Sequence, residues 1–221
     1  MEEKTRKIKA VLFDMDGTLI DTERLYRKAW PLAAAEFGYQ MTDEQALSLR
    51  SLGQPFQPAY LKSLFGEDYP AAEVKTVRKA IMEEFLKDGG LQERPGAEDC
   101  LRRLRAFGVT LAVVTSSDME RTTRYLTTLG LTKYFDRLIT ATEVKQGKPA
   151  PDIYELAVRE LGLMPCECIA VEDAPNGVMS AYRAGLRVVM VPDQSEPTEE
   201  LLKMLYACIP SLYGFTEELL E

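Results

Sequence analysis

The sequence predicts an α/β fold, a doubly wound parallel sheet with an α-helical cap domain inserted into it. Three observations carry that prediction. Short apolar runs recur along the chain, and most are continuous rather than alternating, as in strands covered on both faces. Helical patterns lie between them, which implies right-handed βαβ units. One long stretch with no strong strand separates the first run from the second.

The first strand is expected at 10–13. The strand-free stretch follows and reads as helices at 22–37, 58–65 and 71–86; in the first, Leu25, Ala29, Leu32, Ala33 and Phe37 repeat at helical spacing. Residues 21–89 are therefore expected to form a helical cap, with 1–20 and 90–221 as the α/β core. Asp88-Gly89-Gly90 is expected to be a flexible return, because glycine leaves the backbone free to hinge. Pro95-Gly96 opens a helix over 97–107, and Gly108 sits where a left-handed C-cap is expected. A strand at 110–114 leads to Asp118, a candidate N-cap for a helix over 119–129 that ends at Gly130. Strands at 137–141, 168–171 and 188–191 alternate with helices at 152–161 and 176–184, the latter ending at Gly185.

Composition narrows the chemistry. The 221 residues are 46% hydrophobic and 28% charged, ordinary values for a soluble globular protein. The net charge of −8 argues against nucleic acid or an anionic membrane as a partner. No apolar run approaches the roughly 20 residues needed to span a bilayer, and the charged N-terminal nine residues lack a secretory core. A cytoplasmic protein is expected, as a monomer, with a dimer left open. The four cysteines, Cys100, Cys166, Cys168 and Cys208, have no zinc-site spacing and read as incidental thiols. There is no histidine. Ser–His catalysis, a histidine base and histidine-ligated zinc are thereby excluded, leaving acid–base work to carboxylates, Lys, Tyr, Cys or metal-bound water.

Four motifs stand at or near strand ends, where open α/β sheets bind ligands. Asp14-Met15-Asp16-Gly17-Thr18 follows the first strand. An Asp-x-Asp alone is usually a pair of solvated loop acids; Gly-Thr behind it permits a turn whose amides can approach a phosphate. Thr115-Ser116-Ser117 ends the second strand and offers hydroxyls and amides to the same group. Gly147-Lys148-Pro149 holds an ammonium in a constrained turn. Glu172-Asp173 closes the fourth strand, and two adjacent acids there repel unless a cation lies between them. Hard oxygen donors without histidine or thiolate suggest Mg²⁺.

Taken in order, Asp14-x-Asp16-Gly17-Thr18, Thr115, Lys148 and Glu172-Asp173 resemble the haloacid dehalogenase-like superfamily. Thr18-Leu19-Ile20-Asp21-Thr22-Glu23 and Lys148-Pro149-x-Pro151-Asp152 sharpen the resemblance to the subfamily with a helical cap after the first motif, which includes β-phosphoglucomutases, phosphoglycolate phosphatases and sugar phosphatases. The resemblance implies a Rossmann-like core and a Mg²⁺-dependent phosphatase acting on a small phosphate monoester, of the sugar phosphate or nucleoside monophosphate class. It implies that Asp14 is the nucleophile that becomes an aspartyl phosphate and that Asp16 is the general acid and base. It also implies that Thr115, Ser116 and Lys148 bind the phosphate. The metal would sit on Asp14, the Asp16 carbonyl, Asp173 and Glu172, the last directly or through water. Charge bookkeeping agrees, since an anionic nucleophile attacking a phosphate dianion needs cations at low dielectric. The alternative is a phosphosugar mutase of the β-phosphoglucomutase kind. Mutases of the family carry a histidine where Tyr26 stands here and a cap arginine within the stretch that reads Ser51-Leu52-Gly53-Gln54-Pro55-Phe56 in this chain. Those departures favour the phosphatase. Glu23, Tyr26, Arg50 and Gln54 are candidate cap contacts to the leaving group. Dehalogenation is disfavoured, because in the family it needs no metal and usually no second Asp.

Overall fold

The computed structural model describes residues 7–87, 90–194 and 196–221. The strands are β1 (Ala10–Phe13), β2 (Thr110–Thr115), β3 (Arg137–Thr140), β4 (Cys168–Glu172), β5 (Arg187–Met190) and β6 (Ala207–Cys208). All five pairings are parallel, in the order β3-β2-β1-β4-β5-β6. The α/β, doubly wound reading holds. The order reverses between β1 and β4, so the loops after these two strands flank the topological switch point.

The continuous apolar runs have a direct cause. In β1, Val11 and Phe13 face one buried cluster while Ala10 and Leu12 face another. In β4, Ile169 and Val171 join the first and Cys168 and Ala170 the second. Alternate side chains point to opposite faces, and both faces are covered, so no polar position is left. Helices α5 (Ala97–Phe107) and α6 (Met119–Thr128) cover the first face; α7 (Asp152–Glu160) and α8 (Pro175–Arg183) cover the second. Asp118 caps α6 through the Arg121 amide, and Gly108, Gly130 and Gly185 adopt φ of 89°, 69° and 81°.

Several short elements escaped the sequence reading, among them a helix at Glu199–Leu202. The edge strand β6 has two residues, only one partner and an exposed Cys208, so it lacks an apolar run. Helix α2 (Asp43–Ser48) spans six residues and buries only Ala46; a capping box between Thr42 and Gln45 starts it.

Helices α1 (Glu23–Ala35), α2, α3 (Phe56–Phe65) and α4 (Ala71–Phe85) lie between β1 and α5 in sequence and bury their own cluster, including Ala29, Trp30, Ala33, Leu61, Val74 and Met82. The chain entering and leaving this insert pairs with itself. Asp21 N donates to Gln92 O at 2.9 Å, and Arg94 N donates to Leu19 O at 2.8 Å. Of the expected hinge, Asp88 and Gly89 lie outside the described residues. No helix among the described residues is long and apolar enough to cross a membrane.

Candidate active site

The loops after β1, β2 and β4 converge with the turn that carries Lys148. Asp14 is the first residue beyond β1, and its amide donates to Val171 O at 2.9 Å, extending the β1–β4 pairing by one step. Its side chain is buried and faces Lys148. Lys148 Nζ donates to Asp14 Oδ1 at 2.6 Å, Glu172 Oε1 at 2.6 Å and Val114 O at 3.0 Å. All three ammonium protons therefore go to protein oxygens. The Tyr154 hydroxyl donates to the same Glu172 oxygen at 2.5 Å.

Asp14, Glu172 and Asp173 each present a carboxylate oxygen within 4.8 Å of the others. Asp14 Oδ2, Glu172 Oε2 and both Asp173 oxygens are buried and accept no hydrogen bond among the described residues. Burial pushes Asp14 up to about 8 against the pull of Lys148, and holds Asp173 well above the ordinary carboxylate range, with Glu23 and Asp14 adding to the effect. Such a cluster fits a hard divalent cation: the donors are all oxygen, and ligation would supply the partners these atoms lack. Two glycines make room for it. A Cβ on Gly17, at φ 88°, would fall 2.4 Å from Asp173 Oδ2, and one on Gly177 would fall 2.0 Å from Glu172 Oε2.

Asp16 points elsewhere. Thr22 Oγ1 donates to its Oδ1 at 2.6 Å and Ser117 Oγ to its Oδ2 at 2.8 Å, and the Arg121 guanidinium pairs with Oδ2. Arg121 lies over the Tyr26 ring at 5.2 Å and the Tyr125 ring at 5.4 Å. Arg78 from α4 lies over Tyr26 at 4.8 Å and Trp30 at 5.0 Å. A column of alternating rings and guanidinium groups thus runs from α6 into the insert.

Between sheet and insert lies a cavity of about 500 Å³, whose lining includes Asp14, Asp16, Ser116 and Arg121 from the sheet side. Glu23, Tyr26, Arg50 and Gln54, the candidates named from the insert, all line it too. Thr115 is buried at the end of β2, where its Oγ1 accepts from the Ser117 amide at 3.1 Å. Ser116 Oγ donates to Ser51 O of the insert at 3.1 Å. Of the residues expected at the site, Asp14, Lys148, Glu172 and Asp173 form one buried cluster. Asp16 and Ser116 face the cavity beside it.

Sequence reasoning missed Tyr154, Arg121 and Arg78, and it offered the Ser117 hydroxyl to the phosphate, where the structure gives it to Asp16. Tyr154 had a faint signal, lying one helical turn beyond the Lys148-Pro149-x-Pro151 turn. Arg121 and Arg78 had none, being cations on amphipathic helices, where solvated charge is the rule.

Comparisons with known proteins agree with this geometry. Residues 8–185 match the family model described as haloacid dehalogenase-like hydrolase. The chain is 34% identical over 185 residues to the phosphorylated carbohydrates phosphatase of Thermotoga maritima, covering 81% of this chain and 82% of that one. It is likewise 34% identical over 187 residues to hexitol phosphatase A of Escherichia coli, covering 84% and 83%. Among solved structures, CbbY from Rhodobacter sphaeroides in complex with phosphate superposes with a TM-score of 0.76 at 29% identity, over 94% of this chain and 96% of that one. With the family model matched over most of the chain, and the motif carboxylates gathered around one lysine at the switch point, the protein belongs to the haloacid dehalogenase-like hydrolases.

Proposed function

We propose that this hydrolase is a Mg²⁺-dependent phosphatase of small phosphate monoesters, acting through an aspartyl phosphate on Asp14. It is a phosphoric monoester hydrolase, and phosphorylated sugars or sugar alcohols are its substrate class, with nucleoside monophosphates next. The observation that carries this reading is the buried Asp14–Lys148–Glu172 chain beside Asp173, with carboxylate oxygens that accept no hydrogen bond among the described residues. Bound at Asp14, Glu172, Asp173 and the Asp16 carbonyl, Mg²⁺ would supply the positive charge that lets one anion attack another.

The chain's own residues divide the remaining work. Lys148 holds Asp14 Oδ1 and so fixes the orientation in which the carboxylate meets the phosphorus. Asp16, at the cavity edge, delivers a proton to the leaving alkoxide and later takes one from water. Thr115 and Ser116 hold phosphate oxygens. Residues 21–89 act as the cap over a core of 1–20 and 90–221, and exclude bulk water. The phosphatase is favoured over the mutase because burial holds the Tyr26 phenol well above its ordinary value, so it cannot act as a base where mutases of the family carry histidine.

A screen of small phosphate esters with Mg²⁺, run beside a sugar-phosphate isomerisation assay, tests this. Release of inorganic phosphate is expected, abolished by chelator and reduced by about 10⁴-fold or more in Asp14→Asn. Full activity in that variant, or isomerisation without phosphate release, would overturn it.

A further inference from the structure

One insert residue reaches the acidic cluster itself. The Arg50 side chain is 5% exposed, and its Nη1 lies 3.7 Å from Asp173 Oδ2. It also acts on Glu23, whose carboxyl burial and Asp16 push up to about 8 and Arg50 pulls down. The backbone that carries Arg50 is held in place. Asn176 Nδ2 donates to Arg50 O at 2.9 Å, and Ser116 Oγ to Ser51 O at 3.1 Å. Gly53 N donates to Lys148 O at 2.8 Å, and Gly147 N to Gln54 O at 2.5 Å. Segment 50–54 is thus tied to the loop after β2, to the first turn of α8 and to the turn that carries Lys148. The two glycines allow the last contact: a Cβ on Gly53 would fall 2.7 Å from the Gly147 Cα.

We propose that Arg50 couples metal binding to phosphate binding. The inference rests on the magnesium phosphatase reading above. Asp173 faces Arg50 and is also one of the three carboxylates that fit a divalent cation, so two cations share one anion. In a buried site they repel each other, and Arg50 weakens binding of the metal alone. Mg²⁺ on Asp173 displaces the guanidinium into the cavity that Arg50 also lines, where a phosphate dianion receives it, so both ligands favour the same position of Arg50. Arg50 therefore makes each ligand improve the affinity of the other, by the same factor in both directions. A guanidinium that merely held the insert in place would change both affinities together.

The test is calorimetric titration of Mg²⁺ into the full chain, with and without saturating inorganic phosphate, in wild type, Arg50→Gln and Arg50→Lys. In wild type, phosphate should tighten Mg²⁺ binding on the order of 10-fold. Arg50→Gln should bind Mg²⁺ alone more tightly than wild type and lose most of the phosphate effect. Arg50→Lys, which keeps the charge, should retain most of it. Coupling in Arg50→Gln equal to wild type, equal loss in both variants, or weaker Mg²⁺ binding by one factor with and without phosphate would each overturn the inference. Failure of wild type to bind Mg²⁺ at all would overturn the functional reading beneath it.

Discussion

Beneath the cavity, Lys148 sits fully buried between Asp14 and Glu172, each 2.6 Å away, with every donor matched to an oxygen. On the cavity wall, Arg121 and Arg78 lie between aromatic rings, and only Arg121 reaches a carboxylate of the site, Asp16. The two regions neutralise charge by different means. The floor uses hydrogen-bonded ion pairs with one geometry, which suits a group whose shape never changes, the phosphoryl group. The wall uses ring faces, whose attraction for a cation varies slowly with position. That suits a leaving group that differs among relatives, and it leaves the cations able to turn toward a ligand.

Breaking the floor should have the largest effect. Lys148→Met leaves Asp14 and Glu172 buried without their cation, at about 3–5 kcal/mol of stability. Turnover should fall by roughly 10³-fold as Asp14 loses its orientation. Thermal melting with single-turnover phosphate release measures both, and a variant as stable and active as wild type would show that the pairs are dispensable.

A pH titration sharpens the contrast with less damage. Asp14, raised to about 8 by burial, contributes stability that is complete below its unfolded value and is lost as pH rises through its folded one. Asp173 is raised as well and acts in the same sense. In chelator, melting temperature should therefore fall between about pH 4 and pH 8, while the gain on adding Mg²⁺ should grow over the same interval. A Mg²⁺ gain independent of pH would separate these carboxyls from the metal.

On the wall the expected effect is smallest and of another kind. Arg78→Ala should raise KM by roughly 10-fold, within the range of a desolvated cation–π pair, and leave kcat nearly unchanged. A drop in kcat with constant KM would move Arg78 to the chemical step.

The same contrast decides what could be read from the sequence. The floor was legible because its residues stand at strand ends, where apolar runs stop abruptly at an acid or a hydroxyl. The sheet was legible through strands buried on both faces, apart from β6, whose single partner and short length leave no apolar run. The wall was not. Arg78 and Arg121 sit on helices whose charged positions look alike in sequence, and only the packing of α1 and α4 against α6 decides which of them turn inward. Tyr26 and Arg50 were nameable as candidates, but the pairing of Arg50 with Asp173 joins residues far apart along the chain and has no local signature.

The paired linkers at Leu19–Asp21 and Gln92–Arg94 have a mechanical consequence. A domain hung on two independent strings can translate and twist at will. One whose two strings are laced together near the base behaves as a door on a short pin: it swings, but it does not slide. The insert of this protein would return along one arc on every cycle, and segment 50–54 would meet the same partners in the same register each time. Cutting the lacing, rather than lengthening either string, is the change that would let the door hang crooked.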